Sequence, residues 1–300
     1  MESSAAGAPH ALLTAGPDAR RRKAVNRFME VVSTAAAVVA VAVLALVVIS
    51  VVIKAAPAIN LKFITSNPQV SPFGVNTGGI ANSIVGSLIL IGLATAMAVP
   101  VGILVAIYTT EFAGSRVSTT IRFALDILNG VPTIVTGVFV FGILVLGARQ
   151  SGWAGAIALA IVELPIVARS AQEVLELVPN SLREAGLALG LRRWRIVLRI
   201  VLPTAVGGLI TGSVLGVARV AGETAPLLLT SSVFSNLGVT TNPSQAMPNI
   251  PITIFTLSES AAPQDHAQAW AASLVLILFV LLLSVTARTF HERSRRRLRG

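Results

Sequence analysis

Residues 179–203, PNSLREAGLALGLRRWRIVLRIVLP, separate two long apolar parts of the chain. Leu182, Ala185 and Leu189 recur at helical spacing, so the stretch predicts a helix with one apolar face. Arg192 and Arg193 begin a basic face one turn later. A short amphipathic helix between membrane spans either lies on the lipid surface or docks into a groove of another protein. These physical features alone leave both interpretations open.

The composition indicates an integral membrane protein. Of the 300 residues, 54% are hydrophobic and 12% are charged, which suits several bilayer spans and exceeds what a soluble domain uses. The net charge of +10 raises the question of nucleic-acid binding. The basic residues are few, gather beside apolar runs and are not interleaved with aromatic residues, which argues against such binding. The absence of cysteine excludes disulfides and thiolate chemistry.

The apolar runs predict an all-α integral membrane protein with six transmembrane helices. We expect residues 1–29 to be a basic tail that is poorly ordered over residues 1–27, residues 30–290 to be the membrane domain, and residues 291–300 to be a second basic tail. Pro203 is the expected bend between the 179–203 segment and the fifth span. The predicted spans cover about residues 31–53, 80–108, 125–147, 153–171, 206–229 and 270–287.

The distribution of Lys and Arg predicts the orientation. These residues are concentrated in both tails, in the 109–125 loop and in the connection from 169 to 199. The opposite side carries only Lys54, Lys62 and Arg149. By the positive-inside rule, both termini and the 179–203 segment lie in the cytoplasm.

The 179–203 segment resembles the EAA loop of the permease subunits of bacterial ABC importers. The family pattern is E-A-A, three residues, G, nine residues and I-x-L-P, and this chain departs from it only at its third position. The resemblance implies the type I ABC importer permease fold. It also implies that a cytoplasmic coupling helix between spans four and five sits in a cleft of an ATPase subunit. The residues that match the pattern, and for which coupling is expected, are Glu184, Ala185, Gly186, Gly190, Leu202 and Pro203.

Four further segments narrow the resemblance: VPTIVTG at 131–137, LPIVAR at 164–169, ARVAGETAP at 218–226 and PITIF at 251–255. Together they resemble the PstA-type permease subunits of bacterial phosphate ABC importers, over about residues 30–290. The resemblance implies an inner-membrane protein that carries inorganic phosphate. Its implied partners are a second, PstC-like permease, a PstB-like ATPase dimer that holds ATP and Mg, a PstS-like phosphate-binding protein, and membrane lipid.

The chain itself is expected to bind no cofactor or metal and to catalyse no reaction. It contains no Walker A loop, its three histidines are far apart in sequence, and no nucleophile and base form a recognisable constellation. ATP hydrolysis therefore falls to a separate chain.

Arg219 and Glu223 are the main candidates for the substrate path. Counted from Val206, Arg219 lies about 20 Å along the fifth helix, where a charge needs a partner. Glu223 follows one turn later on the same face. The pair is either an internal ion pair that steadies packing or an anion relay in which the guanidinium grips two phosphate oxygens. The resemblance favours the relay, because an arginine of this segment matters for transport in the family.

Two other acidic residues fall in apolar segments. Glu163 is a weaker candidate for the path, and it either pairs with Arg219 across the bundle or lies in water near the cytoplasmic end. Asp126 is expected at the N-terminus of the third span, where the helix dipole favours a carboxylate.

Other functional classes remain open at this point. A permease for another oxyanion, such as sulfate or molybdate, has the same elements. A proton-coupled secondary anion transporter could use Arg219, Glu223 and Glu163 without an ATPase. A membrane scaffold would tolerate the loss of Arg219.

Overall fold

The computed structural model describes residues 17–69, 77–231 and 238–299, and its secondary structure within these ranges is entirely helical. The chain divides into two compact units, Met1–Ile53 and Lys54–Gly300. The prediction of an all-α protein is therefore confirmed for the described part of the chain.

The first unit consists of most of one helix, α1 (Pro17–Ala55). Proline suits the first turn of a helix, because the missing N–H would have no partner there. The sequence predicted poor order for residues 1–27, whereas residues 17–27 are helical. Residues 1–16 lie outside the described part. The apolar side chains of residues 31–47 are exposed around the helix, as expected of a span that lipid surrounds.

The second unit holds eleven described helices. Three π-helical turns, Tyr108–Phe112, Phe141–Val145 and Val197–Val201, continue or connect them. The helices are α2 (Leu61–Thr65), α3 (Ala81–Ile107), α4 (Ser115–Gly130), α5 (Thr133–Val140), α6 (Gly152–Glu176), α7 (Asn180–Ala188), α8 (Arg193–Ile196), α9 (Leu202–Ala221), α10 (Ala225–Thr230), α11 (Ile250–Ser258) and α12 (Pro263–Arg299).

Five helices of the described chain are long and apolar enough to cross a membrane, and a bent pair provides a sixth candidate. The bent pair is α4 with α5 and its π turn, which meet at 95°. The third span expected at 125–147 therefore corresponds to a bent pair that begins at Ser115 and changes direction at Val131–Pro132. Proline disfavours helical backbone in the residue before it, and Val131, before Pro132, is extended. Asp126 lies near the C-terminal end of α4, so its predicted place at a helix N-terminus is also wrong.

The fifth span differs from its prediction at both ends. An apolar helix runs without interruption from Arg193 to Ala221, through the π turn Val197–Val201. Pro203 lies in the first turn of α9 and does not interrupt this helix. At the other end, α9 stops before Gly222 and the separate helix α10 follows. The single span expected at 206–229 is thus two helices with a break at residues 222–224.

Helix α6 is the centre of the second unit. In its most apolar window 61% of residues are buried, against 28% in the window of Ala81–Phe112. α6 packs against α3, α4, α5, α9 and α10. Three glycines of α9 make close packing possible, because an added Cβ would lie within 2.8 Å of an α6 side chain at each of them. The pairs are Gly208 with Val174, Gly212 with Ser170, and Gly216 with Val167, so α9 runs antiparallel to α6.

Candidate functional site

Arg219 and Glu223 form an ion pair at the end of α9. Nε of Arg219 lies 3.3 Å from Oε1 of Glu223. Arg219 is two residues before the end of the helix, and Glu223 lies beyond its last residue, Ala221. The expectation that both residues share one helix is wrong, but the pair still forms because Glu223 lies only two residues beyond the end of the helix.

The two members of this pair differ in exposure. The side chain of Arg219 is 62% exposed, whereas that of Glu223 is 13% exposed. Within the described residues, Arg219 has no other hydrogen bond or ion pair, so both terminal nitrogens are available. A guanidinium in this state can donate two parallel hydrogen bonds to an oxyanion while a carboxylate offsets its charge.

The depth of the pair follows from its neighbour α6. Glu163 lies eleven residues after Gly152, the first residue of this 25-residue helix, or about 16 Å along it. Gly216 packs directly against Glu163, and Arg219 follows Gly216 by one turn. Arg219 therefore lies near the middle of the helical bundle. At this depth a charged side chain faces a partner protein or a water-filled cavity.

Glu163 has neither of the two environments that the sequence suggested. Its side chain is fully buried, and it forms no ion pair within the described residues. Thr95 of α3 donates a hydrogen bond to Oε2 at 3.4 Å, and Oε1 has no hydrogen-bond partner. The structure thus brings Glu163 close to the helix that carries Arg219 without joining the two charges.

Helix α7 holds the first half of the 179–203 segment. Glu184 and Ala185 are exposed, and the nearby leucines of the predicted apolar face, Leu182 and Leu189, are also exposed. Gly186 is buried, and an added Cβ there would lie 2.9 Å from Cγ1 of Ile196. The helix therefore packs on α8 through its glycine and turns an apolar, acid-containing face outward.

Gly190 ends this helix. Its φ angle is +73°, the left-handed region that side-chain-bearing residues rarely adopt. The N–H of Gly190 bonds to the carbonyl of Leu187, and that of Leu191 bonds to the carbonyl of Gly186, which is a Schellman motif. An added Cβ at Gly190 would meet no atom within 4 Å, so this glycine is required by the turn and not by packing. Gly186, in contrast, is the glycine that allows close packing.

Arg183 is a functional candidate that the sequence analysis missed. Its side chain bonds to both carboxylate oxygens of Glu111, which lies in the π turn after α3. It also donates to the carbonyls of Leu175, in the last turn of α6, and of Val178, two residues after that helix. Arg183 therefore joins the exposed helix α7 to two membrane helices. Glu111 is 72 residues away in sequence, so no local pattern could have indicated the pair.

Two further ion pairs join α4 to α6 near the same end of the bundle. Arg122 pairs with Glu176, and Arg169 pairs with Asp126. The described residues contain no group of three or more side chains that could hold a metal ion.

These observations define a class of protein. A multi-pass helical bundle with a charged pair at a broken span, and with an outward-facing amphipathic helix between spans, has the features expected of a membrane transport permease. The chain belongs to the family of binding-protein-dependent transport system inner membrane components, whose match covers residues 98–300. The family expected from the sequence is confirmed.

Individual relatives agree with this assignment. The phosphate transport system permease protein PstA of Yersinia pestis is 40% identical over 278 residues, which are 92% of this chain and 92% of that protein. The protein of the same name from Pasteurella multocida is 37% identical over 90% of this chain and 95% of that protein. A bacterial ABC transporter that imports the acidic polysaccharide alginate has a TM-score of 0.63 and 17% identity, covering 91% of this chain and 99% of the transporter chain. At that identity the likeness shows the fold alone, that of type I ABC importer permeases.

Proposed function

We propose that the chain is a transmembrane permease subunit of an ATP-driven importer for inorganic phosphate. It forms half of a translocation path, and a second, similar permease forms the other half. A cytoplasmic ATPase dimer carries ATP and Mg, and an external phosphate-binding protein delivers the substrate. Both termini and α7 lie in the cytoplasm. The names of the PstA relatives support phosphate as the substrate.

The observation that carries this proposal is the exposed guanidinium of Arg219 beside Glu223. Without substrate, the carboxylate offsets the charge of the arginine. When phosphate arrives, the terminal guanidinium nitrogens donate to two of its oxygens. The site lies at a helix break, where irregular backbone at membrane depth is typical of a cavity that water or substrate fills.

Coupling to the ATPase rests on α7. Its outward face presents Leu182, Ala185 and Leu189 with Glu184 beside them, a pattern that suits a groove in a partner protein. Arg183 transmits movement of α7 to α3 and α6 through its bonds to Glu111, Leu175 and Val178. Movement of the ATPase dimer on binding ATP thereby reaches the spans that line the path.

The test is phosphate uptake by the assembled importer in proteoliposomes that contain ATP. We expect Arg219→Ala to lower the uptake rate by at least about a hundredfold, since a charge-assisted bidentate contact to the substrate is lost. Leu282→Ala, at an exposed position of α12, is the matched control and should keep normal uptake. Uptake by Arg219→Ala at the wild-type rate would contradict the proposal.

Selectivity is expected to depend on Glu223. Near neutral pH phosphate still carries a proton that a carboxylate can accept as a hydrogen bond, whereas sulfate carries none and is repelled. Glu223→Gln should therefore let sulfate compete with phosphate uptake, at concentrations that leave the unaltered importer unaffected. Unchanged discrimination together with normal transport would show that Glu223 does not select the anion.

A further inference from the structure

Glu163 is a buried acidic residue of the bundle that the proposed path leaves unexplained. It is fully buried on α6, and its Oε1 atom has no hydrogen-bond partner. Among the described residues, its one hydrogen bond is a long one, accepted by Oε2 from the Thr95 hydroxyl at 3.4 Å. A buried carboxyl with so little support is costly, so its presence inside the membrane indicates a role in another state of the protein.

The register of α9 on α6 brings this carboxyl toward Arg219. A Cβ placed on Gly216 would lie 3.3 Å from Cγ of Glu163 and 3.6 Å from its Oε1. Arg219 follows Gly216 by three residues, so the two positions lie on neighbouring parts of one helix face. Helical side chains lean toward the N-terminus, and for Arg219 this is the direction of Gly216. Gly216 has no side chain to block the approach.

The two carboxylates lie on opposite sides of Arg219 along the axis of α9. Glu223 follows the end of the helix, and α10 continues from there toward the start of α6, where the Ser151 N–H bonds to the Thr230 carbonyl. Glu163 lies the other way, beside Gly216, toward the end of α6 that α7 follows. In the proposed orientation, Glu223 is on the external side of Arg219 and Glu163 is on its cytoplasmic side.

We propose that Arg219 exchanges carboxylate partners during transport. It pairs with Glu223 in the state described here and with Glu163 in the state that is open to the cytoplasm. The exchange moves the guanidinium about one helical turn toward the cytoplasm. It also gives Arg219 a counter-charge at the moment when phosphate leaves, which favours release. Glu163 is thus a positioning residue that acts through Arg219. This inference rests on the proposed phosphate importer and deepens it.

The experiment measures ATP-driven phosphate uptake by the complete importer, with maximal rate and half-saturating phosphate concentration determined separately. We expect Glu163→Gln to lower the maximal rate at least about tenfold and to change the half-saturating concentration less than about twofold. Glu163→Asp, which keeps the charge, should recover part of the rate. The matched control is Glu173→Gln, the same change at an exposed position of the same helix, and its rate should stay normal.

A second comparison separates exchange from a structural role. In an Arg219→Lys background the partner exchange is already impaired. Adding Glu163→Gln to Arg219→Lys should therefore lower the maximal uptake rate by less than about a further twofold. An equal loss in both backgrounds, a Glu163→Gln rate close to the unaltered one, or failure of Glu163→Gln to assemble would each overturn the exchange. Absence of phosphate uptake by the unaltered importer, or full uptake by Arg219→Ala, would instead overturn the proposed function itself.

Discussion

Gly137 of α5 is a residue whose missing side chain brings two distant segments together. An added Cβ at this position would lie 2.7 Å from Cα of Pro226, the second residue of α10. Both residues belong to segments that carry the resemblance to phosphate permeases, VPTIVTG and ARVAGETAP. The contact holds α10 against α5, and α10 follows the break that carries Glu223.

Gly137→Ala should therefore destabilise the protein by about 1–3 kcal/mol, since backbone rather than a flexible side chain must move. Because α10 moves with it, phosphate uptake should also fall. Gly130→Ala is the matched control, since an added Cβ there meets no atom within 4 Å. The measurement is the thermal unfolding midpoint of both variants in detergent. Equal midpoints would show that α5 and α10 are not in close contact.

At the residue scale, the sequence predicts a charge more easily than its partner. Arg219 and Glu163 stand out because each interrupts an apolar run. The Arg183–Glu111 pair does not, since both residues lie in polar segments and only the fold brings them within bonding distance. The residues that surround Glu163 could not be predicted from the sequence either, because they depend on the register of α9 against α6.

At the scale of elements, α7 is a short helix whose position depends on the side chain of Arg183. Arg183 is 20% exposed and Glu111 is 9% exposed, so their ion pair is partly shielded from water. In the proposed importer, this pair is the main polar link from α7 to α3. Its loss should uncouple ATP hydrolysis from transport without removing the docking face, which is formed by other residues.

Arg183→Ala should accordingly reduce the number of phosphate ions imported per ATP hydrolysed, while hydrolysis by the complex continues. Arg192→Ala provides the control, because Arg192 is exposed and forms no ion pair within the described residues. Uptake and ATP hydrolysis are measured on the same proteoliposomes. An unchanged ratio in Arg183→Ala would mean that α7 is coupled through its packing alone.

Gly190→Ala tests the end of the same helix. A side chain at a φ of +73° costs roughly 1 kcal/mol, although the added methyl group has open space around it. We expect a lower unfolding midpoint for Gly190→Ala than for Gly114→Ala. Gly114 is equally open, but its φ of −65° suits alanine. Identical midpoints would contradict the left-handed turn.

Hydropathy predicts elements well when they are straight. Most spans are recognisable because apolar composition is a local property that lipid requires of any crossing helix. The 95° bend at Val131–Pro132 and the break after Ala221 are missed by a hydropathy average, because long apolar stretches lie on both sides of each. Both irregularities depend on packing: Gly137 and Pro226, on the far sides of the two breaks, touch each other.

At the scale of the whole molecule, exposure alone does not separate the path from the lipid-facing surface. In the apolar window of Pro263–Thr286 only 17% of residues are buried, and Leu282 of this segment is 65% exposed. Leu215 and Arg219, one turn apart on α9, are similarly exposed at 61% and 62%. The face of α9 that carries Arg219 differs from the lipid-facing surface because it is charged, and lipid does not tolerate a charge at this depth. Water or another protein must therefore cover it.

The chain contains no cysteine, so a single introduced cysteine can report whether its position contacts water or lipid. Gly222 is exposed at the break after α9, so Gly222→Cys should react with a charged, membrane-impermeant thiol reagent in the assembled importer. Leu282→Cys should react at least about tenfold more slowly, because the reactive thiolate forms only where water reaches the sulfur. Phosphate should slow the reaction at Gly222→Cys by occupying the site beside Arg219. Equal rates at both positions would place the break against lipid, and then the charged pair could not line a path.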